Sequence, residues 1–338
     1  MALKPPVEVP QGAIRLNTDS QKLEFFAQDQ WWEMATDVPT LDGGARGFVS
    51  GGLNPSLDDK IEYITISTAG NATDFGNLTQ AGRLGATGSS RTRAVRAGGI
   101  SPSPTGNNII DYWPIASTGN AIDFGDLATS VRSTCGLSNS TRMIVTGGVN
   151  ADANMEYITI ASTGNSKDFG DKTANTSQAA GSSSPTRGIL AGGETPTRVT
   201  TIDYVTMATT GNAQAFGDLT SVRSGNTGAG NAVRCLIAGG EDNSTRINLI
   251  DYVTIATTGN SVDFGDRTLK ARLLGSASSP IRAVWLGGAS DTPATNTAHD
   301  IIDYTQIMTT GDAVDFGDLT SGVGYANVGV CGNAHGGL

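Results

Sequence analysis

The chain has 338 residues, a formal net charge of −10, 45 glycines and only 16% charged residues. An acidic chain without a basic cluster has no electrostatic complementarity to a phosphate backbone, so we do not expect it to bind nucleic acid. The first residues lack the apolar core of a signal peptide, and no run approaches the roughly 18 apolar residues of a membrane span. We therefore expect a soluble protein, made in a cytoplasm, without membrane insertion.

The N-terminal region predicts a small β-meander after an extended, proline-containing lead-in. Two polar turns, at residues 17–20 and 28–30, separate three short segments whose polarity alternates with the period of two of a β-strand. The apolar residues that this alternation places on one face are Ile14, Leu16, Leu23, Phe25, Trp32 and Met34. Phe26 and Trp31 fall on the opposite, mostly polar face. We therefore expect the module to lean on another surface, either the rest of the chain or a partner.

The same region resembles a small module that is common in the virion proteins of tailed bacteriophages, especially fibre and appendage proteins. The segments that carry the resemblance are GAIRLNTD at 12–19, LEF at 23–25 and WWE at 31–33. Leu16 stands where that module usually has an aromatic residue. The resemblance implies that residues 1–38 attach the protein to other virion proteins through Phe26, Trp31 and Trp32, and it leaves homo-oligomerisation open.

The rest of the chain consists of six near-copies of one unit. Successive repeated tyrosines are 49, 45, 47, 48 and 52 residues apart, a period typical of repeat architectures. The repeated tyrosines are Tyr63, Tyr112, Tyr157, Tyr204, Tyr252 and Tyr304, and the repeated phenylalanines are Phe75, Phe124, Phe169, Phe216, Phe264 and Phe316. Each unit also has an arginine five residues before a Gly-Gly pair and a turn of the Thr-Gly-Asn type. The spacing leaves room for four short strands per unit.

The order of these features resembles the kelch repeat, in which each four-stranded unit is one blade of a β-propeller. Gly-Gly, a variable loop, a strand with tyrosine, a turn and a strand with an aromatic residue recur in register. The departures are phenylalanine where kelch repeats commonly have tryptophan, and an Asp-Phe-Gly-Asp core. The repeats open in mid-unit at 45–52 and end with a strand at 322–328, which is predicted to complete the first blade. We therefore predict an all-β protein with a six-bladed kelch-like β-propeller at 41–338.

The repeated polar residues are predicted to be structural. Asp-Phe-Gly recurs without the other kinase motifs, so its phenylalanine is expected to pack between blades. The six repeated arginines are expected to pair with repeated acids such as Asp203 or Asp251 rather than to form a binding ring. The aspartates after the Asp-Phe-Gly motif are expected to cap turns, with a rim of calcium sites as the alternative: Asp126, Asp171, Asp218, Asp266 and Asp318. We predict no catalytic, cofactor or metal site.

Recognition is predicted to fall on the loops that follow Gly-Gly, because they vary while the strands repeat. These loops are 53–60, 100–109, 149–154, 194–201, 241–249 and 289–301. The leading hypothesis is a non-enzymatic structural protein of a phage virion, a tail fibre or appendage component whose loops contact host-surface glycan or protein, or neighbouring virion proteins. A capsid or neck decoration protein without a receptor role and an intracellular kelch-type scaffold are the alternatives. A glycan-active enzyme is disfavoured because the carboxylates occur only as repeat elements.

Overall fold

The computed structural model describes residues 9–17, 22–33, 46–53, 56–101, 105–149, 153–291, 297–320 and 329–332. Every regular element in these ranges is a β-strand, and the protein is all-β. Contacts between Cα atoms divide the chain into two units, Met1–Asp42 and Gly43–Leu338. Met34 and the strand predicted at 322–328 lie outside the described residues.

The first unit contains a three-stranded antiparallel sheet in the order β1-β2-β3. Its strands are β1 (Ile14–Asn17), β2 (Lys22–Ala27) and β3 (Gln30–Glu33). A two-residue turn joins β2 to β3, and both of its residues, Gln28 and Asp29, have positive φ angles, of 53° and 61°. Two successive positive φ angles match the twist of a tight hairpin, and this turn fixes the register of the last two strands.

The second unit contains six four-stranded antiparallel sheets, which we number 1 to 6 in chain order. Strands are given in hydrogen-bonding order, from the first to the fourth of each sheet. Sheet 1 has β29 (Gly329–Gly332), β4 (Arg46–Leu53), β5 (Leu57–Thr65) and β6 (Thr73–Asn77). Sheet 2 has β7 (Ala86–Ser89), β8 (Arg93–Ala97), β9 (Asn107–Pro114) and β10 (Ile122–Val131). Sheet 3 has β11 (Gly136–Ser138), β12 (Arg142–Thr146), β13 (Asn154–Thr159) and β14 (Lys167–Asp171).

The last three sheets have the same order. Sheet 4 has β15 (Ala180–Ser183), β16 (Arg187–Ala191), β17 (Thr201–Thr206) and β18 (Gln214–Asp218). Sheet 5 has β19 (Thr227–Gly230), β20 (Arg234–Ala238), β21 (Leu249–Thr254) and β22 (Val262–Asp266). Sheet 6 has β23 (Gly275–Ser278), β24 (Arg282–Leu286), β27 (Ile301–Gln306) and β28 (Val314–Asp318). A two-stranded hairpin, β25 (Ala289–Ser290) and β26 (Thr297–Ala298), lies between β24 and β27.

Sheet 1 joins the two ends of the second unit. β29, the last strand among the described residues, pairs with β4, so that Val330 lies opposite Val49. The first strands of the sheets contact one another in the cyclic order β29, β7, β11, β15, β19, β23 and back to β29. Each sheet therefore has one neighbour on either side, and sheet 6 is followed by sheet 1.

The core lies between consecutive sheets. In β21, Ile250 packs in the cluster shared with sheet 6, whereas Val253 packs in the cluster shared with sheet 4. Apolar residues on both faces of a strand are typical of a sheet covered on both sides. Among the described residues, six of the seven apolar clusters contain one repeated phenylalanine each, at most 4% exposed. These residues are Phe75, Phe124, Phe169, Phe216, Phe264 and Phe316. Each phenylalanine ring meets the repeated tyrosine of its own sheet edge to face, at 5.8 to 6.1 Å.

The glycine of Asp-Phe-Gly is one of the positions at which one sheet approaches the next closely. The turn between the third and fourth strands of sheet 2 lies against the fourth strand of sheet 1, and the Gly119 N–H donates to the carbonyl of Phe75 at 2.9 Å. A Cβ atom on Gly76 would lie 2.3 Å from the Gly119 oxygen. Equivalent bonds join sheets 2 to 3, 3 to 4, 4 to 5 and 5 to 6, and Ala72 of sheet 1 donates to Asp318 of sheet 6 at 2.8 Å. The glycine of the motif is thus required by the close packing of backbone atoms from two sheets.

Replacing Gly76 with alanine tests this account. We expect Gly76→Ala to lower the free energy of unfolding by about 2 to 3 kcal/mol, because its Cβ collides with a backbone oxygen that cannot move without separating two sheets. Gly119→Ala is the matched control, since a Cβ there meets no atom within 4 Å. Urea denaturation of both variants gives the comparison, and equal stability of the two would refute the packing argument.

Candidate functional site

The antiparallel order gives each sheet two different ends. At the turn end lie the turns between first and second strands and between third and fourth strands. At the loop end lie the loops after Gly-Gly and the connections from one sheet to the next. The repeated residues serve mainly the sheet-to-sheet contacts, and a set of ion pairs that the repeat does not share lies at the loop end of sheets 4 to 6.

The repeated arginines lie at the turn end, and the prediction that they pair with Asp203 or Asp251 is wrong. Each guanidinium lies over the tyrosine ring of its own sheet, 4.3 to 4.8 Å from the ring centroid. Each also donates from Nη1 to a backbone carbonyl of the next sheet, at 2.6 to 3.2 Å. The acceptors are Ile115, Ile160, Met207, Ile255, Ile307 and, from Arg282 of sheet 6 back to sheet 1, Ile66. These arginines therefore join sheets.

The repeated acids have other partners. The Asp203 carboxylate accepts from the Thr173 hydroxyl at 2.5 Å, and Asp251 accepts from Thr220 at 2.8 Å and from the buried Arg223. In each case the threonine follows the fourth strand of the preceding sheet. The same arrangement closes the cycle, where Thr320 of sheet 6 donates to Glu62 of sheet 1. A buried carboxylate needs such donors, so the acid-threonine pairs hold the sheets in register.

Burial perturbs the ionisation of these groups. It raises the pKa of the carboxyl groups of Glu62, Asp111 and Asp203, while hydrogen bonds from threonine act in the opposite direction. These shifts have a structural cause at sheet interfaces, so they do not by themselves mark a reaction centre.

The aspartates that follow Asp-Phe-Gly do not assemble a calcium site. Among the residues that the structure describes, no group of three or more His, Cys, Asp or Glu side chains could hold a metal ion. Instead, the backbone N–H groups of Asp126, Asp171, Asp218 and Asp318 each donate to the asparagine side chain of a turn in the next sheet, at 3.1 Å. The repeat therefore uses this position for another sheet-to-sheet bond.

A charged network lies at the loop end of sheets 4 to 6. Glu241, directly after a Gly-Gly pair, accepts from Arg198 at 2.8 Å and from Arg272 at 2.5 Å. Glu194, the equivalent residue of sheet 4, accepts from Gln178 at 3.2 Å and from Ser224 at 3.3 Å. The side chains of the three ion-paired residues are 21 to 25% exposed. Half-exposed ion pairs contribute little stability, so their main effect is to fix the conformation of the loops.

Two further contacts extend this network. The largely buried Arg246 forms an ion pair with Asp291 at 3.1 Å, which links the loops of sheets 5 and 6. Ser290 and the Nε2 atom of His299 are 2.6 Å apart and connect the two sides of the hairpin β25-β26. The loop end of sheets 4 to 6 therefore presents a preorganised polar surface that suits recognition by hydrogen bonds.

A cavity of about 70 Å³ lies among the first strands of sheets 2 to 6. Its walls are small residues such as Gly136, Gly181 and Ser276, and the buried oxygens of Thr134 and Asn226 have no hydrogen-bond partner there. A polar space of this size suits a few ordered waters.

The residues predicted for attachment lie on both faces of the first sheet. Phe26 and Trp31 pack edge to face with ring centroids 5.3 Å apart, and Arg15 lies 4.1 Å above the Trp31 ring. Trp32 lies on the opposite face and is 44% exposed. Also exposed on the Trp32 face are Ile14, Leu16, Leu23 and Phe25. This second face is thus the more open apolar surface.

Sequence reasoning did not single out Glu194, Arg198, Glu241 or Arg272. A signal was present, because the residues that follow Gly-Gly are Leu53, Ile100, Val149, Glu194, Glu241 and Ala289. Acids at two of these otherwise apolar positions break the repeat.

No family model matches the chain, and no curated protein matches it in sequence. None of the described residues forms a helix long and apolar enough to cross a membrane.

Lys172 is one of several charged residues that are buried between the sheets. Lys172 occupies the position that Leu127 and Leu219 have in sheets 2 and 4, and it is only 6% exposed. Its Nζ donates to the carbonyls of Gly147, at 3.0 Å, and of Thr176. Burial lowers the pKa of this amine to about 8.

The stability of the protein should depend on this lysine above neutral pH. The pKa of Lys172 is lower in the folded state, about 8 against an ordinary 10.5, so the unfolded state binds more protons between these values. Its contribution to the free energy of unfolding should therefore increase with pH across this window, by up to about 3 kcal/mol. Lys172→Leu should remove this increase, whereas Lys167→Leu, at an exposed position of the same sheet, should leave it. The free energy of unfolding of the three proteins can be measured by chemical denaturation between pH 7 and 10. If it increases with pH as steeply in Lys172→Leu as in the wild type, the increase does not come from Lys172.

Proposed function

We propose that the six sheets are the blades of a kelch-like β-propeller closed by the C-terminal strand. The cyclic contacts of the first strands and the pairing of β29 with β4 support this architecture. Two further bonds join sheet 6 to sheet 1 and support the same architecture. Arg282 donates to the Ile66 carbonyl at the turn end, and Thr320 donates to Glu62 at the loop end. Closure of this kind protects strand edges that would otherwise be exposed to aggregation.

We further propose that the protein is a non-enzymatic structural component of a tailed-phage virion, a tail fibre or other appendage. The observation that carries this proposal is the small, separate sheet with one exposed apolar face, on which Ile14 and Leu16 are 63% and 60% exposed. A contiguous apolar surface of this kind is typical of a protein interaction site. In this proposal the sheet binds another virion protein, with oligomerisation of the chain as a further option.

The propeller is proposed to act as the outward-facing part. The charged network around Glu241 and Arg198 gives the loop end of sheets 4 to 6 a fixed pattern of donors and acceptors, which suits host-surface glycan or protein. A decoration protein of the capsid or neck would use the same attachment but would have no receptor. An intracellular scaffold remains the third candidate, in which the loops bind a cellular protein.

Attachment can be tested on phage particles that lack this protein and are supplied with variants of the full chain. Phe25→Ser/Trp32→Ser should reduce the protein on purified particles at least about tenfold, because two aromatic side chains lose their burial. The matched control is Val262→Ser/Val314→Ser, which changes residues of the propeller that are 55% and 51% exposed. Quantitative mass spectrometry of the particles gives the result. Normal incorporation of the first variant, or absence of the wild type from particles, would refute the proposal.

The receptor role needs a second measurement. Arg198→Ala/Arg272→Ala leaves Glu241 without its two arginine partners, so incorporation should be normal while adsorption of the particles to host cells falls several-fold. A decoration protein predicts unchanged adsorption for this variant. The comparison therefore separates the leading proposal from its first alternative.

A further inference from the structure

The turn between the third and fourth strands of sheet 1 encloses an opening at the turn end. Tyr63 and Thr73 are the last pair of residues opposite each other on β5 and β6. Beyond them, the N–H of Ala72 donates to the carbonyl of Asp318 in sheet 6, at 2.8 Å. The second half of the turn is therefore bonded to a different sheet from the first half. The two halves separate, and a cavity of about 340 Å³ lies between them.

The lining of this cavity is polar but uncharged. It consists of Tyr63, Ile64, Thr65, Thr68, Gly70, Asn71 and Thr73. The three threonines bring hydroxyl groups, which both donate and accept. Asn71 brings the NH₂ group of its carboxamide, whose oxygen already accepts from the Asp318 N–H at 3.1 Å. All four of these side chains are exposed. This lining favours a ligand that is neutral and rich in donors and acceptors.

The tyrosine adds an aromatic surface that is held rigidly. Arg46 lies 4.8 Å from the centroid of the Tyr63 ring on one side, and its Nη1 is bound to the Ile115 carbonyl of sheet 2 at 2.6 Å. Phe75 meets the same ring edge to face at 5.9 Å. A ring fixed from two sides loses little freedom when a ligand binds to it.

We propose that this opening, the sheet 1 notch, binds one neutral sugar residue of a glycan. An uncharged pocket with several hydroxyl groups, an amide and an aromatic wall matches the alternating hydroxyl and C–H surfaces of a saccharide. A size of about 340 Å³ is at the lower limit of small-ligand sites. The notch is at the opposite end of the sheets from the charged network, so it is a site separate from the proposed receptor contact and does not depend on it.

The repeats show what distinguishes sheet 1. The residues opposite the repeated tyrosines are Thr73, Ile122, Lys167, Gln214, Val262 and Val314. In sheet 4 the hydroxyl of Tyr204 is 2.5 Å from Oε1 of Gln214, so the longer side chain bonds to the tyrosine. Thr73 is the only hydroxyl-bearing residue among these six; it is shorter than Gln214 and equal in size to the valines of sheets 5 and 6, so the space beside Tyr63 is both open and lined by a hydroxyl group. Sheet 4 therefore shows which substitution at position 73 would fill the notch.

Thr73→Gln copies the arrangement of sheet 4 and should abolish binding. Thr73→Val keeps the shape and removes one hydroxyl, which should weaken binding about 2- to 10-fold, as expected for one hydrogen bond. Gln214→Thr makes the reverse exchange in sheet 4 and is the matched control, because it leaves the sheet 1 notch intact. All three substitutions are at exposed positions of a fourth strand.

The measurement is a titration of the full chain with D-glucose, D-galactose, D-mannose, N-acetyl-D-glucosamine and L-rhamnose, followed by backbone amide NMR. Concentrations up to about 100 mM suffice for a site of millimolar Kd. We expect at least one sugar to shift the amides of Gly70, Asn71 and Thr73 in the wild type and in Gln214→Thr, but not in Thr73→Gln.

Two results would overturn the inference. One is the absence of shifts at these amides in the wild type for every sugar of the panel. The other is an equal response in Thr73→Gln. The measured amides lie in the turn of sheet 1, so either result would contradict the sugar site without contradicting the virion proposal or the role of the charged network. Conversely, a failure of particle incorporation would contradict the virion proposal without contradicting the sugar site.

Discussion

The structure depends on the close approach of each third-to-fourth-strand turn to the fourth strand of the preceding sheet. Backbone donors such as the N–H of Gly119 bond to carbonyls such as that of Phe75, so the outermost strand of each sheet gains partners beyond its own sheet. This approach is possible only without a Cβ at positions such as Gly76. Sheet 6 approaches sheet 1 in the same way, because a Cβ on Gly317 would lie 2.6 Å from the Gly70 oxygen, and the Ala72 N–H donates to the Asp318 carbonyl as Ala121 does to Asn77.

The other repeated residues strengthen the same contacts by different chemistry. Arginine joins a tyrosine ring of its own sheet to a carbonyl of the next, and a buried acid accepts from a threonine of the preceding sheet. In sheets 5 and 6 the buried acids Asp251 and Asp303 gain buried arginines, Arg223 and Arg267. Removing one partner of such a pair costs more than the pair contributes, because a charge is then left alone in the core. These residues are therefore mutually dependent.

The repeated residues are engaged between sheets, and the proposed binding surfaces lie at positions where the repeat is broken. Glu194 and Glu241 replace apolar residues after Gly-Gly and build a polar surface at the loop end. Thr73 is short where Gln214 is long, and it opens a notch at the turn end. A scaffold of repeated sheets can keep its strands constant while such single positions change, which is how one architecture can acquire different binding sites.

The sequence by itself determined the local features. The period of the tyrosines and the alternation within short segments predicted strands, turns and the meander around Trp32, because these depend on residues that are near one another in the chain. The partners of Arg142 and Asp203 could not be obtained in this way. The arginine bonds to Met207, 65 residues away, and which sheet-to-sheet contacts form is set by register across an interface. Only the tertiary structure decided that the arginines meet carbonyls, that the acids meet threonines and that the turn beside Thr73 stands open.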